Sequence, residues 1–207
     1  GHPRSDDPAQ PCKATSLPGG DRGLAHASDQ VRDQFLAGLT PGADLDMRGV
    51  SFTPNLLNRL LNAVCDPHRN NRPHLGHVDF RRASFSKGVK FYNTLFSGSA
   101  DFSQTSFSGE TDFNRTLFSG FAQFIKASFS GSTSFNGTSF SWGADFAKAS
   151  FSKYASFTGA SFLKNTFFTD VSFSGDIHFN KASFSGDANF NRTLFSRDSN
   201  FAETSFS

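Results

Sequence analysis

Residues 101–140 read DFSQTSFSGETDFNRTLFSGFAQFIKASFSGSTSFNGTSF, and phenylalanine recurs in them at alternating steps of five and six: Phe102, Phe107, Phe113, Phe118, Phe124, Phe129, Phe135, Phe140. Followed outward, the same steps run without a miss from Phe80 to Phe206, an undecapeptide repeat. Two residues before each phenylalanine stands a small or β-branched side chain, among them Val78, Ala83, Val89, Thr94, Ala100 and Thr105. In an extended chain residues two apart share a face, so both positions point inward. Of the 28 phenylalanines only Phe35, Phe52, Phe121 and Phe167 fall off this register. A chain that buries one large and one small side chain per short segment, over and over, builds a solenoid in which each coil lies on the last.

The intervening positions are polar. Serine or leucine precedes the second phenylalanine of each unit and serine usually follows it, giving short walls that alternate inward and outward. The six-residue steps carry Gly98, Gly109, Gly120, Gly131, Gly175 and Gly186 two residues after their phenylalanine. Glycine there predicts a left-handed or strained corner.

Upstream the composition changes. Residues 1–27 are rich in Pro, Gly, Asp and Ser, have no apolar period, and read as a disordered leader, with Gly1-His2 resembling a tag remnant. From Ser28 as N-cap, Val31, Phe35, Leu36 and Leu39 recur at helical spacing. A second helix has Thr53 as N-cap and Pro54 at its first position, followed by Leu56, Leu57, Leu60, Leu61 and Val64. Between them the pairs Ala43/Leu45 and Val50/Phe52 read as the first two solenoid walls, with the helix inserted at a corner to cover the open N-terminal end. The chain thus divides into 1–27, a helical cap over 28–77 that includes first walls, and the repeat domain 78–207.

Ala100-Asp101-Phe102 and Ala144-Asp145-Phe146 are close copies of the A(D/N)LXX signature, and the inward pair around them resembles that of the pentapeptide-repeat family, in a phenylalanine-rich form with alternating five- and six-residue units. The resemblance covers residues 78–207. It implies an all-β solenoid, a right-handed quadrilateral β-helix. Four walls in the order five, six, five, six then make ~22 residues per coil, about six coils, and four interior columns of phenylalanine.

Charge limits the partners. The chain has 20 Lys plus Arg against 18 Asp plus Glu. Several relatives within that family are thought to imitate DNA and occupy topoisomerases such as gyrase, which needs a carboxylate-dominated surface; the near-neutral balance disfavours that reading here. Basic residues alternate with aspartates rather than forming a stripe, so nucleic acid is disfavoured too. No run of 18 apolar residues spans a membrane and no signal-peptide pattern is present, which sets the expectation of a cytoplasmic chain. Cys65, His68, His74 and His77 have weak zinc-ligand spacing against the plainer reading of a solvated polar loop. Cys12 and Cys65 are expected as free thiols. His178 stands alone, and no serine has histidine and carboxylate partners at a repeating position, so neither catalysis nor a cofactor is expected.

Because residues 22 apart stack, one side of the rod carries outward Leu95, Leu117 and Leu163, with Phe121 and Trp142 at its corner; the opposite side shows almost only serine. An apolar cluster on one face suggests a binding surface, and tryptophan is a favoured anchor. At the other extreme, Phe190, Phe195, Phe201 and Phe206 form a last layer whose rings and strand edges are expected to be open, which points to a head-to-head homodimer. The expected function is a non-catalytic scaffold binding a protein partner or itself; ice or glycan-surface binding by the serine ladder is the remote alternative.

Overall fold

The computed structural model describes residues 27–207 throughout and, before them, Pro3–Arg4, Asp7–Pro11 and Leu24. The segment expected as a disordered leader, with Cys12, therefore lies largely outside the described residues. Within it Pro3–Arg4 pairs antiparallel with Asp7–Pro11. Leu24 is buried, and its carbonyl accepts from Arg32 Nε at 3.2 Å.

The remainder is a parallel β-solenoid with two short helices at its N-terminal end. Residues 22 apart pair in parallel, as Ala100 does with Val78 and Ala122, and Phe107 with Phe85 and Phe129. Four walls succeed one another around each coil. The first holds Phe80, Phe102, Phe124, Phe146, Phe168 and Phe190; the second follows Phe85, the third Phe91 and the fourth Phe96, each advancing by 22. The walls are two-residue strands, such as Ser106–Phe107 and Thr111–Asp112, so the hydrogen bonds between coils, not long strands, define the sheet. Phe102 N donates to Gln123 O at 2.7 Å and Ser106 N to Ala83 O at 3.0 Å.

The phenylalanines form four continuous stacks. Within a column successive rings lie nearly parallel, with centroids 4.6 Å apart for Phe129–Phe151 and 5.5 Å for Phe173–Phe195. This matches the ~4.8 Å between neighbouring strands. Columns one and three meet at the axis edge-to-face: Phe113 packs against Phe102 at 5.5 Å and 84° and against Phe124 at 5.6 Å and 85°. Aromatic quadrupoles favour both arrangements, offset stacking along the axis and edge-to-face contact across it.

Inward threonines of the second and fourth walls are reconciled with burial by one recurring bond, while Thr111, Thr133 and Thr166 donate to the carbonyl two residues earlier. Thr105, Thr116 and Thr138 donate their hydroxyls to the carbonyls of Phe80, Phe91 and Phe113 in the coil below. Thr94 Oγ1 alone among these lacks a partner. By the same offset its counterpart carbonyl would be that of Arg69, where the third wall of the first coil is replaced by inserted structure.

That insertion is the helical cap. Helix α1 (Asp29–Ala37) starts at the N-cap Ser28, whose side chain accepts from Val31 N, and helix α2 (Pro54–Ala63) starts at Thr53, which accepts from Leu56 N. Leu56, Leu57, Leu60 and Leu61 of α2 are buried over the first complete coil. Ser51–Phe52 pairs with Ser84–Phe85, and Phe52 stacks on Phe85 at 4.9 Å, so the second wall begins where expected. The first wall is shifted by two residues from the expected pair. Leu45 pairs with Val78, and Met47 N donates to Asp79 O as Phe80 N does to Asp101 O, so buried Met47 occupies the phenylalanine slot and Leu45 the small one. After α2, the eight-residue strand Arg72–Asp79 supplies the fourth wall through Leu75, paired with Phe96, and runs on into the first wall through Val78.

The corners also differ from expectation. The left-handed residues of the repeat lie at Arg82, Asn93, Gln104, Arg115, Lys126, Gly137, Lys148, Gly159, Asp170, Lys181, Arg192 and Glu203, once per repeat, two positions after the phenylalanine that opens each step of five. At the six-residue corners Lys87 is left-handed, at φ +62°, but Gly98, Gly109, Gly120, Gly131, Gly175 and Gly186 do not have positive φ. They are glycine because coils approach each other there: a Cβ on Gly131 would sit 2.3 Å from the Gly109 carbonyl carbon.

Candidate functional site

The described residues hold no group of three or more His, Cys, Asp or Glu side chains that could bind a metal. Cys65, His68, His74 and His77 are therefore not brought together as a zinc site. Cys65 Sγ donates to Leu61 O at 3.4 Å, and burial pushes its thiol up. Asp66 caps a short 3-10 turn, Pro67–Arg69, its Oδ1 accepting from His68 N at 2.9 Å. His74 Nε2 lies 2.9 Å from Ser97 Oγ on the fourth wall, whereas His77, past the corner, accepts from Ser99 N through Nδ1 at 3.1 Å. The corner between Leu75 and Val78 separates the two imidazoles. His178 is not isolated: Tyr154 OH lies 3.2 Å from its Nδ1, and the rings meet edge-to-face.

Aspartate at the position before the phenylalanine is structural. Asp101 Oδ1 accepts from Ser103 N, Asp112 Oδ1 from Asn114 N and Asp145 Oδ1 from Ala147 N, each at 2.8 Å. Asn189 and Asn200 accept equivalently from Asn191 N and Ala202 N. An acceptor that ties down the turn two residues on explains why Asp and Asn alternate there. In the first coils the same aspartates are knit to arginines. Arg48 pairs with Asp46 and, at 3.3 Å, with Asp79; Arg81 pairs with Asp79 at 2.6 Å and Asp101 at 3.5 Å. These carboxylates hold both guanidinium groups above their ordinary value.

This architecture accounts for the signature residues on every coil. A family model described as pentapeptide repeats (9 copies) matches residues 71–117, 113–161 and 157–205. The chain belongs to the pentapeptide-repeat family. Comparison with curated proteins gives no match. Its phenylalanine ladder fits the phenylalanine-rich branch of pentapeptide-repeat proteins, which are in general structural or interaction proteins. Among the described residues no helix is long and apolar enough to cross a membrane.

The expected apolar wall is brought together in part. Leu95 is buried and contributes nothing to the surface: its partner on the preceding coil is His74, and Arg72 reaches over the adjacent Asn93 and Thr94 carbonyls. Leu117 and Phe121 are partly buried. Leu163 is 44% exposed and Trp142 71%. Trp142 stands where the preceding coil has Gly120 and the following one Lys164, and Gly143 takes up the turn at φ +106°, with the Phe121 ring against its backbone. Phe167, read only as off-register, joins this corner: it pairs with Asp145 on the first wall, facing outward. Its signal was present in the sequence, since it precedes an inward phenylalanine where other coils have Asp, Gln or Asn.

At the C-terminal end Phe190 and Phe195 are partly buried, Phe201 is 37% exposed and Phe206 60%. The serine side is regular. Ser84, Ser106, Ser128, Ser150 and Ser172 form one file along the second wall.

Proposed function

We propose that the chain is a non-catalytic scaffold that binds a protein partner at the corner formed by Leu117, Phe121, Trp142 and Leu163. The exposure of Trp142 carries this reading. A tryptophan 71% open to solvent, beside the half-exposed Leu163 and the partly buried Leu117 and Phe121, departs from the repeat at a corner where Gly143 takes up the turn. Aromatic anchors of this kind supply much of the energy of protein interfaces. The double variant Leu117→Ser, Trp142→Ser should lose partner capture by immobilised protein without a fall in melting temperature. Unchanged capture refutes the reading, as does equal loss from Ser106→Asp and Ser128→Asp on the opposite wall. A gyrase supercoiling assay should show no inhibition, since Asp46, Asp79 and Asp101 of the first wall are paired with Arg48 and Arg81, which leaves no carboxylate-dominated surface along the rod.

A second mode of association is favoured by the last coil, where Phe201 and Phe206 are exposed beside the open edges of Leu194–Phe195 and Ser199–Asn200. Head-to-head pairing of two copies would cover both. Light scattering should give a dimer that Phe201→Lys, Phe206→Lys converts to monomer; a wild-type monomer at high micromolar concentration rules the dimer out.

A further inference from the structure

The repeat supplies its own control for one carboxylate. On the first wall Asp46, Asp79, Asp101, Gln123, Asp145 and Phe167 occupy equivalent outward positions on successive coils. Arg48 and Arg81 stand two residues after Asp46 and Asp79 and, between them, pair with the first three carboxylates. After Asp145 the same position is Ala147, and among the described residues Asp145 makes no ion pair. Its strand neighbours are Gln123 and Phe167. Trp142 projects from the corner three residues earlier, and the Phe121 ring lies against Gly143 between them. Burial pushes the Asp145 carboxyl up, outweighing the hydrogen bond from Ala147 N that lowers it. A half-buried carboxylate without a counter-ion is unfavourable until a cation reaches it.

We infer that Asp145, bracketed by Phe121, Trp142 and Phe167, receives an arginine side chain from the protein partner. The inference rests on the interface reading above and specifies its chemistry. Guanidinium suits the site better than ammonium because it pairs with a carboxylate through two parallel N–H groups and stacks its plane on aromatic faces. Cation–π attraction is strongest over tryptophan. The flanking Leu163 and Leu117 would take apolar residues on either side of that arginine.

Trp142 is the only tryptophan in the chain, so its fluorescence reports on this corner directly. The probe is the peptide acetyl-Leu-Gly-Arg-Gly-Leu-amide, titrated against its counterpart carrying citrulline, which keeps the shape and loses the charge. The arginine peptide should give a saturable change in Trp142 emission, and citrulline or Asp145→Asn should weaken binding by about tenfold or more. Asp145→Asn keeps the turn, because Asn189 and Asn200 accept the same amide bond in this structure. Binding should also weaken as pH falls through the raised Asp145 pKa. Absence of saturation at millimolar peptide overturns the inference, and so does equal affinity for citrulline or for the Asn variant. If Leu117→Ser, Trp142→Ser abolishes partner capture while Asp145→Asn retains it, the arginine site falls and the interface reading stands.

Discussion

Truncating phenylalanine to leucine should cost more at the axis than at the flank, although the sequence pattern treats the two alike. Phe124 and Phe129 are neighbours in the repeat and both are fully buried. Phe124 lies in the first column and meets Phe102 and Phe146 by stacking, Phe113, Phe135 and Phe118 edge-to-face, and Phe129 at a tilt of 43°. Phe129, in the second column, meets only Phe107 and Phe151 by stacking, with Phe124 and Phe135 beside it. Each aromatic pair is worth roughly 0.5–1.5 kcal/mol beyond area burial. The two further ring contacts of Phe124 therefore make Phe124→Leu more damaging than Phe129→Leu by about 1–3 kcal/mol. Urea unfolding followed by far-ultraviolet circular dichroism measures this as a lower midpoint. The comparison holds where the slope is unchanged, since repeat arrays lose two-state behaviour when their cooperativity breaks. Equal midpoints, or a larger loss at Phe129, would refute the interlocked axis.

Gly131→Ala should destabilise by several kcal/mol or shift the adjoining coil, because its Cβ would meet Gly109 backbone at 2.3 Å. Gly159→Ala, left-handed but with nothing within 4 Å, should cost only about 1–2 kcal/mol; thermal melts of the two variants compare them. Asp145→Asn should melt at or above wild type near neutral pH. The folded-state pKa of Asp145 is raised by burial, so its penalty is present above that pKa and disappears as pH falls below the ordinary value of 3.8; the advantage of the variant should vanish over the same window. Phe129→Asp should unfold the middle of the solenoid, because it buries an unpaired carboxylate at a cost of several kcal/mol, whereas Ser130→Asp on the outer face should leave the melt unchanged.

The five–six alternation made the coil legible, because an inward ring on every wall leaves no other phase for the chain to adopt. Where ring size stopped being the signal, legibility stopped with it. Met47 fills a phenylalanine slot, and the Ala43/Leu45 pair imitated the small-and-large pattern one step too early, since all three side chains point to the same face. Glycine drew attention to the six-residue corners, yet the left-handed residues are mostly lysine, arginine, glutamine and asparagine. Their even spacing was visible, but their chemistry carries no φ signal. Leu95 appeared outward by parity, which it is; what buries it comes from the inserted strand and Arg72, which no repeat could forecast. The Cys65–His77 spacing likewise ignored the corner that parts His74 from His77.

Every coil rises by one strand spacing, the longer coil across the inserted helix included. Ser51 pairs with Ser84, and Ser84 lies four strand pairings from Ser172 on the same wall. Spin labels at Ser84 and Ser172 should therefore lie about 19 Å apart at the backbone, and labels at Ser51 and Ser172 about 24 Å, from ~4.8 Å per strand. Double electron–electron resonance on the two pairs should give narrow distributions separated by that single step. Distributions that are broad, or that differ by much more than one strand spacing, would contradict the stacked coil and the placement of its cap.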